Sequence, residues 1–118
     1  MPDLTTHVLD VVAGRPAIGV AVKLYWLATP DDASLILSTR TNALGRCSEP
    51  MLKGHKLAPG KYRMTFGIGE YFRKSGFMFQ EPAFLDTVPI EFGIDISESR
   101  YHIALLISPF GYLTFRDG

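Results

Sequence analysis

One cysteine is all that this chain of 118 residues offers, so Cys47 has no partner for an internal disulfide and no cluster of thiolates can hold a metal. Excess charge is absent too: twelve lysines and arginines offset twelve aspartates and glutamates. Without a long run of either sign, nothing draws the chain to nucleic acid or to an anionic membrane. No window approaches the roughly 18 apolar residues of a membrane span, and "MPDLTTHVLDV" has no basic stretch leading into an apolar one. These absences point to a cytoplasmic protein, and its length to one domain over residues 1–118 with a single core.

What is present is strand periodicity. In "KYRMTFGIG", Tyr62, Met64, Phe66 and Ile68 alternate with Lys61, Arg63, Thr65 and Gly67, the two-residue period of a half-buried strand. "VPIEFGIDI" repeats the device with Val88, Ile90, Phe92, Ile94 and Ile96 on one face. "GVAVKLYWLA", apolar at Val20, Val22, Leu24 and Trp26, and "SLILSTRTN", with Leu35, Leu37, Thr39 and Thr41 on one face, read as an antiparallel pair. Between them "TPDDA" supplies turn chemistry, because proline presets φ and aspartate bonds its own backbone.

"LTTHVLDV" and "YHIALLIS" are further strands near the two ends, and "SPFG" predicts a tight hairpin before Tyr112. The one helical prospect is "GEYFRKSGF", whose aromatics are expected to pack onto a sheet, as are Trp26, Phe66 and Phe92. Seven or eight short strands with one short helix make an all-β sandwich.

Chemistry-bearing residues are few. The three histidines are His7 in the first strand, His55 in the lysine-flanked loop "KGHKLAPG", and His102 in the penultimate strand. Brought together, His7 and His102 could take a proton from water near neutral pH, because an unperturbed imidazole titrates at about 6.5. No HExxH or comparable spacing supports a metal, and none is expected, nor any cofactor. Arg46 leaves the turn "TNALGRC"; its guanidinium is either solvated or a rigid fork of donors for a planar, carbonyl-rich ligand.

"LTTHVLDVVAGRPA", "TNALGR" and "YHIALLISPFGYLTFR", in that order and spacing, resemble the transthyretin-like family of 5-hydroxyisourate hydrolases from Leu4 to Arg116. The resemblance implies a sandwich of two four-stranded sheets with one short helix. It also implies a homotetramer, a dimer of dimers whose channel is lined by the histidines, the arginine and the tails. The implied reaction is hydrolysis of 5-hydroxyisourate to 2-oxo-4-hydroxy-4-carboxy-5-ureidoimidazoline in urate degradation. His7 and His102 would bind and activate water, and Arg46 would hold substrate carbonyls and stabilise the oxyanion. A transthyretin-like carrier of a flat ligand, without hydrolysis, is the alternative, and a related ureido or lactam substrate is a third.

The tail departs from the resembled pattern. The family usually closes Tyr-Arg-Gly-Ser, and here Phe115, Arg116, Asp117 and Gly118 stand in those places. Phe115 and Arg116 are expected to contact substrate, Phe115 without a phenolic hydroxyl. Tyr112 cannot replace that hydroxyl, since an odd separation puts it on the opposite strand face. The tail is expected to need no packing partner in its own subunit. Ser108, on the His102 face by alternation, either borders the site or serves the turn.

Overall fold

The computed structural model describes residues 3–117, except the side chain of His55; Gly118 lies outside the described residues. Nine strands, one α-helix and a single 3-10 turn follow in order among the described residues: β1 Asp3–Asp10, β2 Arg15–Pro16, β3 Ala21–Thr29, β4 Asp32–Arg40, β5 Leu52–Lys53, the 3-10 turn Gly54–Lys56, β6 Gly60–Gly67, α1 Ile68–Lys74, β7 Thr87–Ile94, β8 Arg100–Ser108 and β9 Gly111–Asp117. They form two sheets, β2-β1-β8-β9 with β5 also on β1, and β4-β3-β6-β7. β1 and β8 run parallel, and the other pairs are antiparallel.

The sandwich forms because each central strand has one apolar face. Leu4 and Val8 from β1, and Tyr101, Ile103, Leu105 and Ile107 from β8, meet Val22 and Leu24 of β3, Tyr62, Met64 and Phe66 of β6, and Val88, Ile90 and Ile94 of β7. Burying each large side chain contributes about 1.5–3 kcal/mol, so this layer holds the sheets together. The opposite face of β1 and β8 is thereby left for other work.

One sheet has five strands rather than four. Along the outer edge of β1, β5 pairs with Asp3 and Leu4, Arg46 bridges to His7, and β2 pairs with Leu9 and Asp10. Together these pieces fill the place of a single fourth strand. Each is secured by backbone hydrogen bonds: Met51 N–H to Leu4 O, Val8 N–H to Gly45 O, and Ala17 N–H to Val8 O.

Three strand boundaries differ from the alternation. A bulge between β3 and β4 sets Leu37 opposite Leu24 but Leu35 opposite Tyr25, so the two leucines no longer share a face; Leu37 packs on the core and Leu35 is exposed. Ile68 opens α1 instead of extending β6, its side chain still buried, and Gly69 N–H donates to Asp86 O. Ile96 lies beyond β7 with φ 54° and is exposed. The strand stops because Asp95 Oδ1 accepts from Ser97 N–H, Ser97 Oγ–H and Tyr101 O–H, a turn that competes with the ladder.

The expected helix shortens to seven residues, ended by Ser75 N–H to Tyr71 O and Phe77 N–H to Phe72 O. Phe72 is buried as expected, Phe66 likewise, and Trp26 and Phe92 pack against the core partly buried. Tyr71 also packs against the core partly buried, and donates its hydroxyl to Asp10 Oδ2 at 2.7 Å. Asp10 is buried, and its other oxygen accepts from Val12 and Ala13 N–H, so one carboxylate ties α1 to the turn after β1. Its negative charge joins burial in pushing the Tyr71 hydroxyl up to about 12.

The tail is not free of its own subunit. β9 pairs with β8 from Ser108 opposite Gly111 to His102 opposite Asp117. The physical reason is the hairpin: once Pro109 and Phe110 turn the chain, each residue of "GYLTFRD" meets a partner with free backbone groups.

Candidate active site

Pairing register arranges the outer face of the β1-β8-β9 sheet in rows, because cross-strand partners point to the same side. One row runs Arg46, His7, Ala104, Phe115; the next runs Thr5, His102, Asp117. The ring centroids of His7 and His102 are 5.8 Å apart, tilted by 37°. Strand alternation on two different strands therefore brings both predicted histidines together. Lys53, Asp3 and Arg100 form a charged row on one side, and Leu9, Leu106 and Leu113 an apolar row on the other.

His102 is the better fixed of the pair. It is 1% exposed, and its Nδ1 lies 2.7 Å from Thr5 Oγ1 on the neighbouring strand. If Nδ1 carries the hydrogen and donates it to Thr5, Nε2 is left with the lone pair that a base needs. Both imidazoles are held below their ordinary titration range, first by burial and next by the positive charge of Arg46. Arg100 and His7 add to the effect at His102, and Asp117 opposes it at both rings. Both are thus biased toward the neutral, proton-accepting form near neutral pH.

Arg46 owes its position to the turn before it. Asn42 Oδ1 accepts from Leu44 and Arg46 N–H, and Asn42 N–H donates to Arg46 O, closing a compact loop. Gly45, at φ +75°, makes the approach to β1: a Cβ there would sit 2.5 Å from Val8 O. The exposed guanidinium then stands beside His7, free to meet a ligand.

Ala104 lies between His7 and Phe115, its small side chain buried beneath its neighbours at 4% exposure. With strands about 4.8 Å apart, His7 and Phe115 stand roughly 10 Å apart across it. A flat heterocycle could lie over Ala104 with the imidazoles and guanidinium on one side and the Phe115 ring on the other.

Two expected contacts lie elsewhere. Arg116 pairs with Ile103 and so points to the opposite face of β9, its guanidinium carbon 5.9 Å from the Tyr101 ring centroid. There it lines a cavity of about 280 Å³ with Ile90, Phe92 and Tyr101. Adjacent residues on a strand point to opposite faces, so the Phe115 and Arg116 side chains diverge, although Phe115 also borders that cavity. Ser108 is on the His102 face, but six residues along the strand put it roughly 20 Å away. Its hydroxyl donates to Gly111 O at 3.0 Å, which makes it a turn residue.

Among the described residues no group of three or more His, Cys, Asp or Glu side chains is gathered closely enough to hold a metal ion. No helix there is long and apolar enough to cross a membrane. Thr5 and Asp117 join the site without having been singled out as site residues. Thr5 was recoverable from its separation of two from His7, whereas Asp117 needed the β8–β9 register.

The architecture is that of a transthyretin-like β-sandwich, with a polar site built on the outward face of one sheet. More particularly, the chain belongs to the HIUase/Transthyretin family, whose model matches residues 4–117. It is 47% identical over 113 residues to 5-hydroxyisourate hydrolase 2 of Rhizobium meliloti (strain 1021), covering 96% of this chain and 93% of that protein. Among solved structures, it resembles Klebsiella pneumoniae 5-hydroxyisourate hydrolase at TM-score 0.79 and 30% identity, covering 100% of this chain and 94% of that one. It also matches (S)-allantoin synthase at TM-score 0.91 and 41% identity; 99% of this chain is covered, but it spans only 44% of that chain.

Proposed function

We infer that this chain is an enzyme that hydrolyses 5-hydroxyisourate, opening the cyclic amide to 2-oxo-4-hydroxy-4-carboxy-5-ureidoimidazoline in urate degradation. Relatives named for that activity, at up to 47% identity over nearly the whole chain, support the reaction. The observation that carries the mechanism is the pair of neutral-biased imidazoles 5.8 Å apart with Arg46 beside them.

In this reading the substrate lies over Ala104. One imidazole takes a proton as water oxygen adds to the ring carbonyl, and Arg46 stabilises the oxyanion that develops there. When the oxyanion collapses, the carbonyl C–N bond breaks and the imidazolium returns its proton to the departing nitrogen. The water is consumed and the histidine is regenerated. His102, anchored by Thr5, suits the fixed role, while the half-buried His7 suits contact with substrate. Phe115 provides an apolar wall; the positions of Arg116 and Ser108 leave them no substrate contact in this scheme.

A homotetramer, a dimer of dimers, goes with this reading. The apolar row ending in exposed Leu113, and exposed Leu44 in the Arg46 turn, border the polar rows and offer a surface that a second copy would cover. A cytoplasmic location is part of the same proposal.

The test is the ultraviolet decay of freshly generated 5-hydroxyisourate with and without protein. Acceleration is expected, lost in His102→Ala and Arg46→Ala variants that remain folded. Full activity in both variants would refute the assigned roles, and no acceleration by the folded parent would refute the reaction. Sedimentation at assay concentration should give four chains per particle.

A further inference from the structure

We propose that Asp117 is a positioning residue for the histidine pair, its carboxylate stabilising the positive charge that an imidazole acquires on taking the proton from water. The inference rests on the hydrolytic reading and adds an acidic member to that site.

The geometry comes from register. Asp117 is the direct cross-strand partner of His102, and Thr5 flanks the same ring from the other side. Direct antiparallel partners have Cβ atoms about 4.5–5.5 Å apart, so the exposed Asp117 carboxylate stands near the ring; among the described residues it forms no ion pair with either imidazole and acts on them through its charge. β9 is the last strand of its sheet, and Asp117 sits on the face that carries His7.

The surrounding charges explain why a carboxylate matters here. Arg46 faces the pair from the turn, Arg100 from β8, and Lys53 from β5; Asp3 on β1 stands between Lys53 and Arg100 in register. Arg46 and Arg100 favour neutral imidazole, as burial does, which keeps the base ready but makes it a weak acceptor. Asp117 is the group that opposes them at both histidines. A neutral base that must become a cation in the transition state benefits from a counter-charge nearby, acting here through space while Thr5 holds Nδ1.

The test compares Asp117→Asn and Asp117→Glu with the parent protein, with folding checked by thermal melting. Imidazole titration by nuclear magnetic resonance is read alongside the pH profile of kcat/KM for 5-hydroxyisourate. A unit charge roughly 6 Å away, partly screened by water, shifts an imidazole by about half a unit to one unit. In Asp117→Asn both histidines should titrate lower by that amount, the acidic limb of the profile should follow, and kcat should fall several-fold with KM little changed. Asp117→Glu should restore most of each effect.

Unchanged titrations in folded Asp117→Asn, or shifted titrations with an unmoved acidic limb and unchanged kcat, would overturn the proposal. A parent protein that fails to accelerate substrate decay overturns the hydrolytic reading instead. The imidazole titrations would still decide whether Asp117 acts on the pair.

Discussion

Replacing Thr5 by valine removes one oxygen and almost no volume, so β1 keeps its shape and strand preference while His102 loses its partner at 2.7 Å. Water cannot take that place, because His102 is 1% exposed. A buried polar atom left without its hydrogen bond costs about 1–3 kcal/mol. At about 3–6 °C per kcal/mol for a domain of this size, melting should fall by several degrees. If losing the hydroxyl costs the transition state that much more than the ground state, turnover should fall about 5- to 150-fold. Decay of 5-hydroxyisourate followed by ultraviolet absorbance, with a thermal melt of each variant, measures both. Thr5→Ser keeps the oxygen and should recover most of the loss. A valine variant that melts and turns over like the parent would show that the hydroxyl neither anchors His102 nor selects its tautomer.

Other perturbations test neighbouring parts of the molecule. Gly45→Ala forces a Cβ against Val8 O, so it should displace Arg46 and lower turnover at least ten-fold, with a melting loss visible by circular dichroism. Phe115→Tyr should raise turnover or leave it unchanged; a marked fall would mean the site is shaped around phenylalanine. Tyr71→Phe takes the hydroxyl from buried Asp10 and should cost about 1–3 kcal/mol in urea unfolding without altering KM. Because folding lowers the titration range of His7 and His102, the unfolded chain binds more protons in the window just below pH 6.5. Stability should therefore be highest above that pH and decline as pH falls through the histidine range. A His102→Gln variant should show a shallower decline in melting temperature across the same window.

Much of the site was legible because a period of two was enough to orient it. His7 and His102 each alternate with apolar core residues on their own strand, which sends both to the outward face. What alternation cannot state is which strands are neighbours. The parallel pairing of β1 with β8 sets Thr5 beside His102, and the β8–β9 hairpin sets Asp117 opposite it; both depend on contacts between distant segments. Arg116 shows the reverse, since alternation within "TFRD" already separates it from Phe115, and only the resemblance grouped them. The two misplaced apolar residues have local causes: an extra residue at the β4 bulge turned Leu35 outward, and the Asp95 turn ended the ladder before Ile96.

The broken outer edge of β1 also bears on how these molecules meet. Its backbone groups are already taken by β5, the Arg46 turn and β2, and a strand arriving from another molecule finds no continuous row to extend. β9, at the far side of the same sheet, keeps such a row. Addition of strands to this sheet can proceed from the β9 side alone, so two copies that joined there would use up the open edge of this sheet, β4 and β7 remaining the edges of the other. Through this sheet alone, addition would end at a pair, where a sheet open on both sides could go on adding strands.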